Sequence, residues 1–522
     1  MRIFFLSSLA ALAVPGLCAL SVHESDSPHV LQLGLRRNRH DDPVGRDRKR
    51  WKRQTVDVGL YGDSMGGDIY STNLTLGSPP QRVEVSVDTG SSDLWVVYSD
   101  NGICDIEGAS CDSFGTYDPS DSKNANTLPD RFSIEYGDSS WAEGFYAVDS
   151  LVIEDAEVPE AQFAVAMASG IDKHLLIRSE GILGIGYPAN EVARTMYPNL
   201  PELLVENNIT ASSAYSLWLN RLGEDEGSIL FGGVNTAHYT GSLQTVPVVP
   251  YSNQYIHLWI TLTELSASSE KDSIHHPFTS DSLPLAVLLD SGSTLTYLPA
   301  PLVKSIYSAL DVHFYEEAQV GYVPCNSYLT QREDYNLTFS FSGAKVSVPL
   351  SELVLQDSLQ YEGDTLHING EQSCTFGILP SADFFPILGD TFLRSAYVVF
   401  DLDNNEVSLA QAKYDPGEDR ILEIGDGDDS VPHATAVDGP VTTATVTTGG
   451  ASLVLPTGFT NSPIFPSRTA SVTASTTATV DATDVDSGGG DDENAPGNGA
   501  MGRAVNSVLG AGVVGVGLFL SL

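Results

Sequence analysis

The sequence predicts an all-β fold of two similar lobes with a cleft between them, and three observations carry that expectation. A short pattern occurs twice. Residues 85–95 and 288–294 each run an apolar strand into an aspartate (Asp88, Asp290), a small hydroxyl residue (Thr89, Ser291), a glycine (Gly90, Gly292) and a second hydroxyl residue (Ser91, Ser293). Each copy is followed at a similar interval by the same triplet: Ile182-Leu183-Gly184 lies 94 to 96 residues after Asp88, and Ile387-Leu388-Gly389 lies 97 to 99 after Asp290. Repetition at so long a period implies two like lobes, each donating one carboxylate to a shared cleft. The third observation is local: residues 69–76, 82–87 and 397–400 alternate or carry β-branched runs bounded by Gly, Pro, Asn and Asp. Only 302–311 and 200–207 stand out as helices.

From its start, the chain shows Met1-Arg2, an apolar run to about residue 14, and then Pro15-Gly16-Leu17-Cys18-Ala19. This is the charged start, apolar middle and small-residue end of a secretory signal, with cleavage expected after Ala19. The run is shorter than the roughly 20 apolar residues a spanning helix needs. Residues 20–53 carry nine Lys or Arg against five Asp or Glu and end in the pairs Lys49-Arg50 and Lys52-Arg53. Dibasic pairs in an extended, polar stretch are processing sites. The segment is therefore expected to be a basic propeptide, cut at Lys52 and Arg53 to leave Gln54 as the new terminus.

Residues 54–238 and 239–414 are the expected first and second lobes, and roughly 360 residues suffice for a core in each. From about residue 415 the composition shifts to Asp and Gly, then to Ser, Thr, Ala, Val and Pro. This predicts a disordered, O-glycosylated stalk over 415–498. Small residues around Asn498, a spacer and the apolar run 508–522 fit a GPI signal, with attachment at Asn498 and removal of 499–522. A transmembrane helix is the weaker reading, because those 15 residues are too few and no basic stop follows.

Charge divides the chain in the same way. The whole sequence has 26 Lys plus Arg and 68 Asp plus Glu, a net charge of −42. Residues 1–53 hold 10 and 5 of these, so the remainder has 16 against 63, or −47. Such a body favours basic partners and an acidic setting in which self-repulsion eases. Together with secretion it argues against a nucleic-acid partner. Cys18 leaves with the signal; Cys104, Cys111, Cys325 and Cys374 remain and allow three disulfide pairings. No Cys-x-x-Cys or ordered His spacing suggests zinc, and no metal site is expected. Asn73, Asn208 and Asn336 each begin an N-glycosylation sequon.

A lone Asp-Thr-Gly is most simply a turn residue capping its own backbone. A matched pair has a chemistry. Two close carboxylates repel, so one holds a proton while the other ionises. The ionised member draws a proton from water as it attacks a carbonyl, and the protonated member donates to the developing oxyanion. Asp88 and Asp290 could in this way hydrolyse a peptide bond without a cofactor. Gly90 and Gly292 would let backbone N–H groups reach the carboxylates where a side chain would intrude.

On these residues the chain resembles the pepsin family of aspartic proteases, over roughly residues 59–412. Tyr136-Gly137-Asp138, the run 227–233, the run 387–394 and the hairpin 400–410 follow in family order. Within the family it is most similar to the fungal yapsins, which are GPI-anchored. The resemblance implies the bilobal pepsin-like aspartic protease fold, with the active-site cleft between two similar lobes. It implies action on protein and peptide substrates, inhibition by pepstatin-like compounds, a monomer, and residence on the outer leaflet of the plasma membrane or in the cell wall. It also assigns roles. Thr89 and Ser291 would cross-link the two loops, while Ser91 and Ser293 would bond the outer carboxylate oxygens. Tyr136, Gly137 and Asp138 would form a flap over substrate, with Trp95 hydrogen-bonded to Tyr136 behind it. Cys104 would pair with Cys111 and Cys325 with Cys374. The flap departs from the pepsin pattern, since 136–144 is one residue longer. Asp138 stands where family members favouring basic residues carry an acid, which implies a preference for Lys or Arg just before the scissile bond.

Two other readings compete. Gly62-Asp63-Ser64-Met65-Gly66 matches the G-x-S-x-G of serine hydrolases, but that motif works on a strand-to-helix turn and here a strand follows. A catalytically inactive surface binding or cell-wall module on the same fold is the second. The presence of both aspartates, both glycines and Tyr136 disfavours it.

Overall fold

The computed structural model describes residues 29–40 and 67–442, apart from 103, 105–110, 137–140, 155, 171–180, 225, 252, 316–319, 359, 362–363 and 382–384. The signal, the dibasic pairs, Ser64, Gly137, Asp138, Asn498 and the terminal apolar run lie outside the described residues.

The sequence repeat corresponds to a repeated strand arrangement. In the first half Gln81–Asp88 runs parallel to Gly181–Gly184, with Asp88 opposite Gly184. Gly181–Gly184 is antiparallel to Leu94–Val97, which is parallel to Ala156–Gly170. In the second half Leu285–Leu289 runs parallel to Ile387–Leu388, which is antiparallel to Thr296–Leu298, which is parallel to Ile378–Pro380. Order and sense are the same in both. The glycine of each triplet has a steric reason. A Cβ on Gly184 would lie 2.5 Å from the backbone nitrogen of Ser92, and one on Gly389 would lie 2.3 Å from the carbonyl oxygen of Ser293. The turn after each aspartate thus packs directly on its glycine, where no side chain fits.

The first-half strands continue into a fourteen-stranded sheet whose remaining part draws on both halves. Leu31–His40, Glu226–Phe231 and Tyr215–Trp218 are followed there by Ala396–Asp401, Glu406–Ala412 and Tyr239–Pro247. The second half builds smaller sheets of its own, so the fold is all-β with two lobes joined through the long sheet. The expected strands form with slightly wider bounds, Gly67–Leu76, Gln81–Asp88 and Ala396–Asp401. The two expected helices are Leu200–Glu206 and Ala300–Leu310. Leu302, Val303, Ile306, Tyr307 and Leu310 recur at helical spacing and form the buried face of the second. Asp311 is its left-handed cap, at φ 59°, and not its last turn.

Two segments outside the expected lobes join the sheet. Leu31–His40, within the expected propeptide, lies between Glu226–Phe231 and Gly67–Leu76 with antiparallel pairing on both sides. Leu31, Leu33 and Leu35 enter the main core while Gln32, Gly34 and Arg36 are exposed, the alternation of a half-buried strand. Beyond residue 415, where disorder is expected, Ile421–Glu423 pairs with Gly233–Asn235 and Ala434–Ala436 runs parallel to Tyr239–Pro247. Ile424, Val431 and Val437 are buried beneath this strap. The described part of this stretch, up to residue 442, is therefore held on the body, because a few apolar residues inside an acidic, Gly-rich run find a sheet to cover.

Cys104 is bonded to Cys111 and Cys325 to Cys374. Among the described residues no helix is long and apolar enough to cross a membrane.

Candidate active site

Asp88 ends the strand Gln81–Asp88, and Asp290 directly follows Leu285–Leu289; both are buried, at 1% and 0% exposure. Their surroundings match atom for atom. The Gly90 N–H donates to Asp88 Oδ1 at 2.8 Å and the Ser91 hydroxyl to Oδ2 at 2.6 Å. The Gly292 N–H donates to Asp290 Oδ1 at 2.8 Å and the Ser293 hydroxyl to Oδ2 at 2.6 Å. Hydrogen bonds of this kind favour the charged carboxylate.

The two loops are also tied to each other. The Thr89 N–H donates to Ser291 Oγ at 3.1 Å and the Ser291 N–H to Thr89 Oγ1 at 3.0 Å. Each hydroxyl then donates across, Thr89 to the Leu289 carbonyl and Ser291 to the Val87 carbonyl, both at 2.9 Å. A Cβ placed on Gly90 would fall 2.7 Å from Asp290 Oδ1, so backbone from one loop lies against the carboxylate of the other. This brings Asp88, Thr89, Gly90, Ser91, Asp290, Ser291, Gly292 and Ser293 into one cluster.

Tyr136 follows the strand Asn126–Glu135, and its hydroxyl accepts a 2.6 Å hydrogen bond from Trp95 Nε1. Behind it Trp95, Phe132, Tyr146 and Tyr197 form a row of tilted and edge-to-face rings with centroids 5.6 to 6.5 Å apart. The row packs at the base of the hairpin formed by Asn126–Glu135 and Trp141–Ile153.

The structure adds residues that motif reading passes over. Asp93, five positions past Asp88, accepts the hydroxyls of Tyr146 and Tyr197 on Oδ1, both at 2.9 Å, and the Val192 N–H on Oδ2 at 2.8 Å. Burial pushes its carboxyl upward, against the lowering effect of those bonds. Glu191 accepts the Tyr197 N–H at 3.0 Å, while its Oε1 is buried with no hydrogen-bond partner among the described residues. Burial, with the nearby charge of Asp93, pushes the Glu191 carboxyl up to about 9. Asn190 Nδ2 donates to the Gly90 carbonyl at 3.1 Å, so the same segment steadies the Asp88 loop. Asp93 stands inside the quoted repeat, but its partners come from sequence too distant for spacing to reveal.

Among the sequon asparagines Asn208 is exposed in a turn after a helix, whereas Asn73 and Asn336 are half-buried in strands. Asn73 Oδ1 accepts from Arg82, and Asn336 Nδ2 donates to the Asp334 carbonyl. Among the described residues no group of three or more His, Cys, Asp or Glu is arranged to hold a metal ion.

Comparison with known proteins shows what the chain is similar to. The sequence model of the eukaryotic aspartyl protease family matches residues 69–412, which contain both aspartate loops. The chain is 45% identical over 464 residues to an Aspergillus oryzae protein named "Probable aspartic-type endopeptidase opsB", covering 87% of this chain and 91% of that one. A protein of the same name from Aspergillus fumigatus is 42% identical over 468 residues, covering 89% and 93%. "Secreted aspartic protease 8" of Candida albicans is 37% identical over 369 residues, covering 70% and 80%.

Proposed function

This chain belongs to the eukaryotic aspartyl protease family and is an aspartic-type endopeptidase, and on that premise we propose that Asp88 and Asp290 are its catalytic pair, hydrolysing peptide bonds through one activated water. The observation that supports the assignment is the matched support of the two carboxylates, each taking one backbone N–H and one serine hydroxyl from loops that are bonded to each other.

The chemistry follows from the pairing. Repulsion keeps one proton on the pair, and that proton belongs to both groups together. The ionised carboxylate takes a proton from water as it attacks the scissile carbonyl. The protonated one donates to the oxygen as it becomes negative, and a proton then passes to the leaving nitrogen. The loop hydrogen bonds hold both acids in place, so little reorganisation accompanies the reaction. Tyr136, fixed by Trp95, marks the base of a flap that closes over the peptide and excludes water.

The substrate class is peptides and proteins with Lys or Arg just before the scissile bond, read by Asp138. The chain enters the secretory pathway, is matured at Lys52-Arg53 and is held at the cell surface by a GPI anchor at Asn498, where it processes secreted or cell-wall proteins. The relative named as secreted supports the first of these steps. Digestion of a peptide library at several acidic pH values, with and without pepstatin, tests the reading. Cleavage after basic residues that pepstatin abolishes is expected. Pepstatin-resistant cleavage that a fluorophosphonate blocks would transfer the activity to Ser64.

A further inference from the structure

We propose that His257 is a substrate-positioning residue, hydrogen-bonding the backbone of the bound peptide beside Asp290. The strand Trp259–Leu262 runs antiparallel to Leu285–Leu289 with Trp259 opposite Leu288. The next rung is also made, since the Leu289 N–H donates to the Leu258 carbonyl. Continued by one step, that register would set His257 level with Asp290. Residues directly opposite in an antiparallel ladder project to the same face, which would put the imidazole on the face of the Asp290 carboxylate.

The ring is packed against two other rings. His257 is 9% exposed, and its centroid lies 4.7 Å from the ring of Trp259 and 6.4 Å from that of Phe385. Its Nδ1 is buried and has no hydrogen-bond partner among the described residues. Buried polar atoms are nearly always paired, so such an atom beside a reaction centre points to a ligand group that completes it. Burial also lowers the ring's affinity for a proton, to a pKa of about 4. Over a mildly acidic range the imidazole is therefore neutral, with one nitrogen as donor and the other as acceptor. A peptide backbone offers both N–H and C=O along an extended strand, and either tautomer finds its complement there. A pinned neutral ring can thus select the register of the chain in the cleft without selecting a side chain.

This inference rests on the endopeptidase reading, and the test separates the two. A series of peptides sharing one scissile bond, extended residue by residue on each side, is cleaved by the wild type, His257→Phe, His257→Leu and His257→Gln. In the wild type one extension should raise kcat/KM by about three- to tenfold, the worth of a single neutral hydrogen bond. His257→Phe keeps the ring contacts with Trp259 and Phe385. It should cleave the shortest peptides as the wild type does and lose that one step, and His257→Gln should restore part of it. His257→Leu provides the same reading should the Phe variant fail to fold. A step of unchanged height in a folded Phe or Leu variant, or an equal loss at every length, would overturn the proposal. Loss of all cleavage in Asp88→Asn alone bears on the endopeptidase reading and leaves the step unaffected.

Discussion

Thr89 and Ser291 each hold the other's backbone: the hydroxyl of one accepts the N–H of the other, at 3.0 and 3.1 Å, across 202 residues of sequence. Each hydroxyl also donates to a carbonyl of the opposite loop, so four hydrogen bonds from these two residues tie the loops that carry the carboxylates. Thr89→Val keeps the shape but leaves the Ser291 N–H and the Leu289 carbonyl without these partners. Unsatisfied buried groups cost about 1–3 kcal/mol. Denaturant titration should show a loss of that size with unchanged slope, and kcat should fall at least about tenfold with a smaller change in KM. An unchanged kcat would show that the tie does not position the pair.

The carboxyls of Glu191 and Asp93 make a pH prediction for the first lobe. Burial is the main cause of both raised values. A carboxyl whose folded pKa is raised stabilises the fold fully below its unfolded pKa, near 4.3 for Glu, and loses that contribution as pH climbs toward the folded value of about 9. The thermal midpoint should therefore fall between about pH 5 and 9, and Glu191→Gln should make the fall shallower. Parallel curves for the two proteins would remove Glu191 as a cause.

The aspartate loops are legible in the sequence because each demands a particular residue type at fixed offsets: a carboxylate, a hydroxyl, a glycine, and 94 or 97 residues later an apolar pair ending in the glycine on which the turn packs. Asp93 is not legible in this way. Its three partners stand 53, 99 and 104 residues away, and nothing local marks Tyr146, Val192 or Tyr197. The strand Leu31–His40 does carry a period-two signal in Leu31, Leu33 and Leu35, but the basic residues around it favour a solvated reading. The strap over 413–442 has too few apolar residues to announce itself; its order comes from Gly233–Asn235 and Tyr239–Pro247, which offer open edges for pairing.

A buried ion pair should prove costly to break. Arg394 Nε donates to Glu352 Oε2 at 2.8 Å with both side chains nearly inaccessible, and the Leu222 N–H donates to the same carboxylate from the first half of the chain. Glu352→Ala takes the carboxylate away from the guanidinium while its bond to the residue 352 carbonyl remains, and removing one partner of a buried ion pair costs about 3–5 kcal/mol. Urea titration of the purified variant should show that loss, and a loss below about 1 kcal/mol would mean that water replaces the carboxylate.

Asp138→Ser tests the basic preference. A carboxylate pairing with Lys or Arg contributes about 1.5–3 kcal/mol, or roughly ten- to a hundredfold in discrimination. Matched peptides with Arg or Leu before the cleaved bond should show that ratio in the wild type, and it should collapse in the variant through loss on the Arg peptide alone. Equal losses on both would make Asp138 a flap-turn residue.

The assignment of the reaction to Asp88 and Asp290 is tested most directly by kcat/KM of purified Asp88→Asn and Asp290→Asn on one good peptide substrate, with thermal midpoints measured on the same samples. Each change removes a titrating group at nearly constant volume. Both variants should remain folded and lose at least about a thousandfold in kcat/KM, within the range that general acid–base groups supply. A folded variant of either kind that retains activity within about tenfold of the wild type would contradict catalysis by a shared-proton pair.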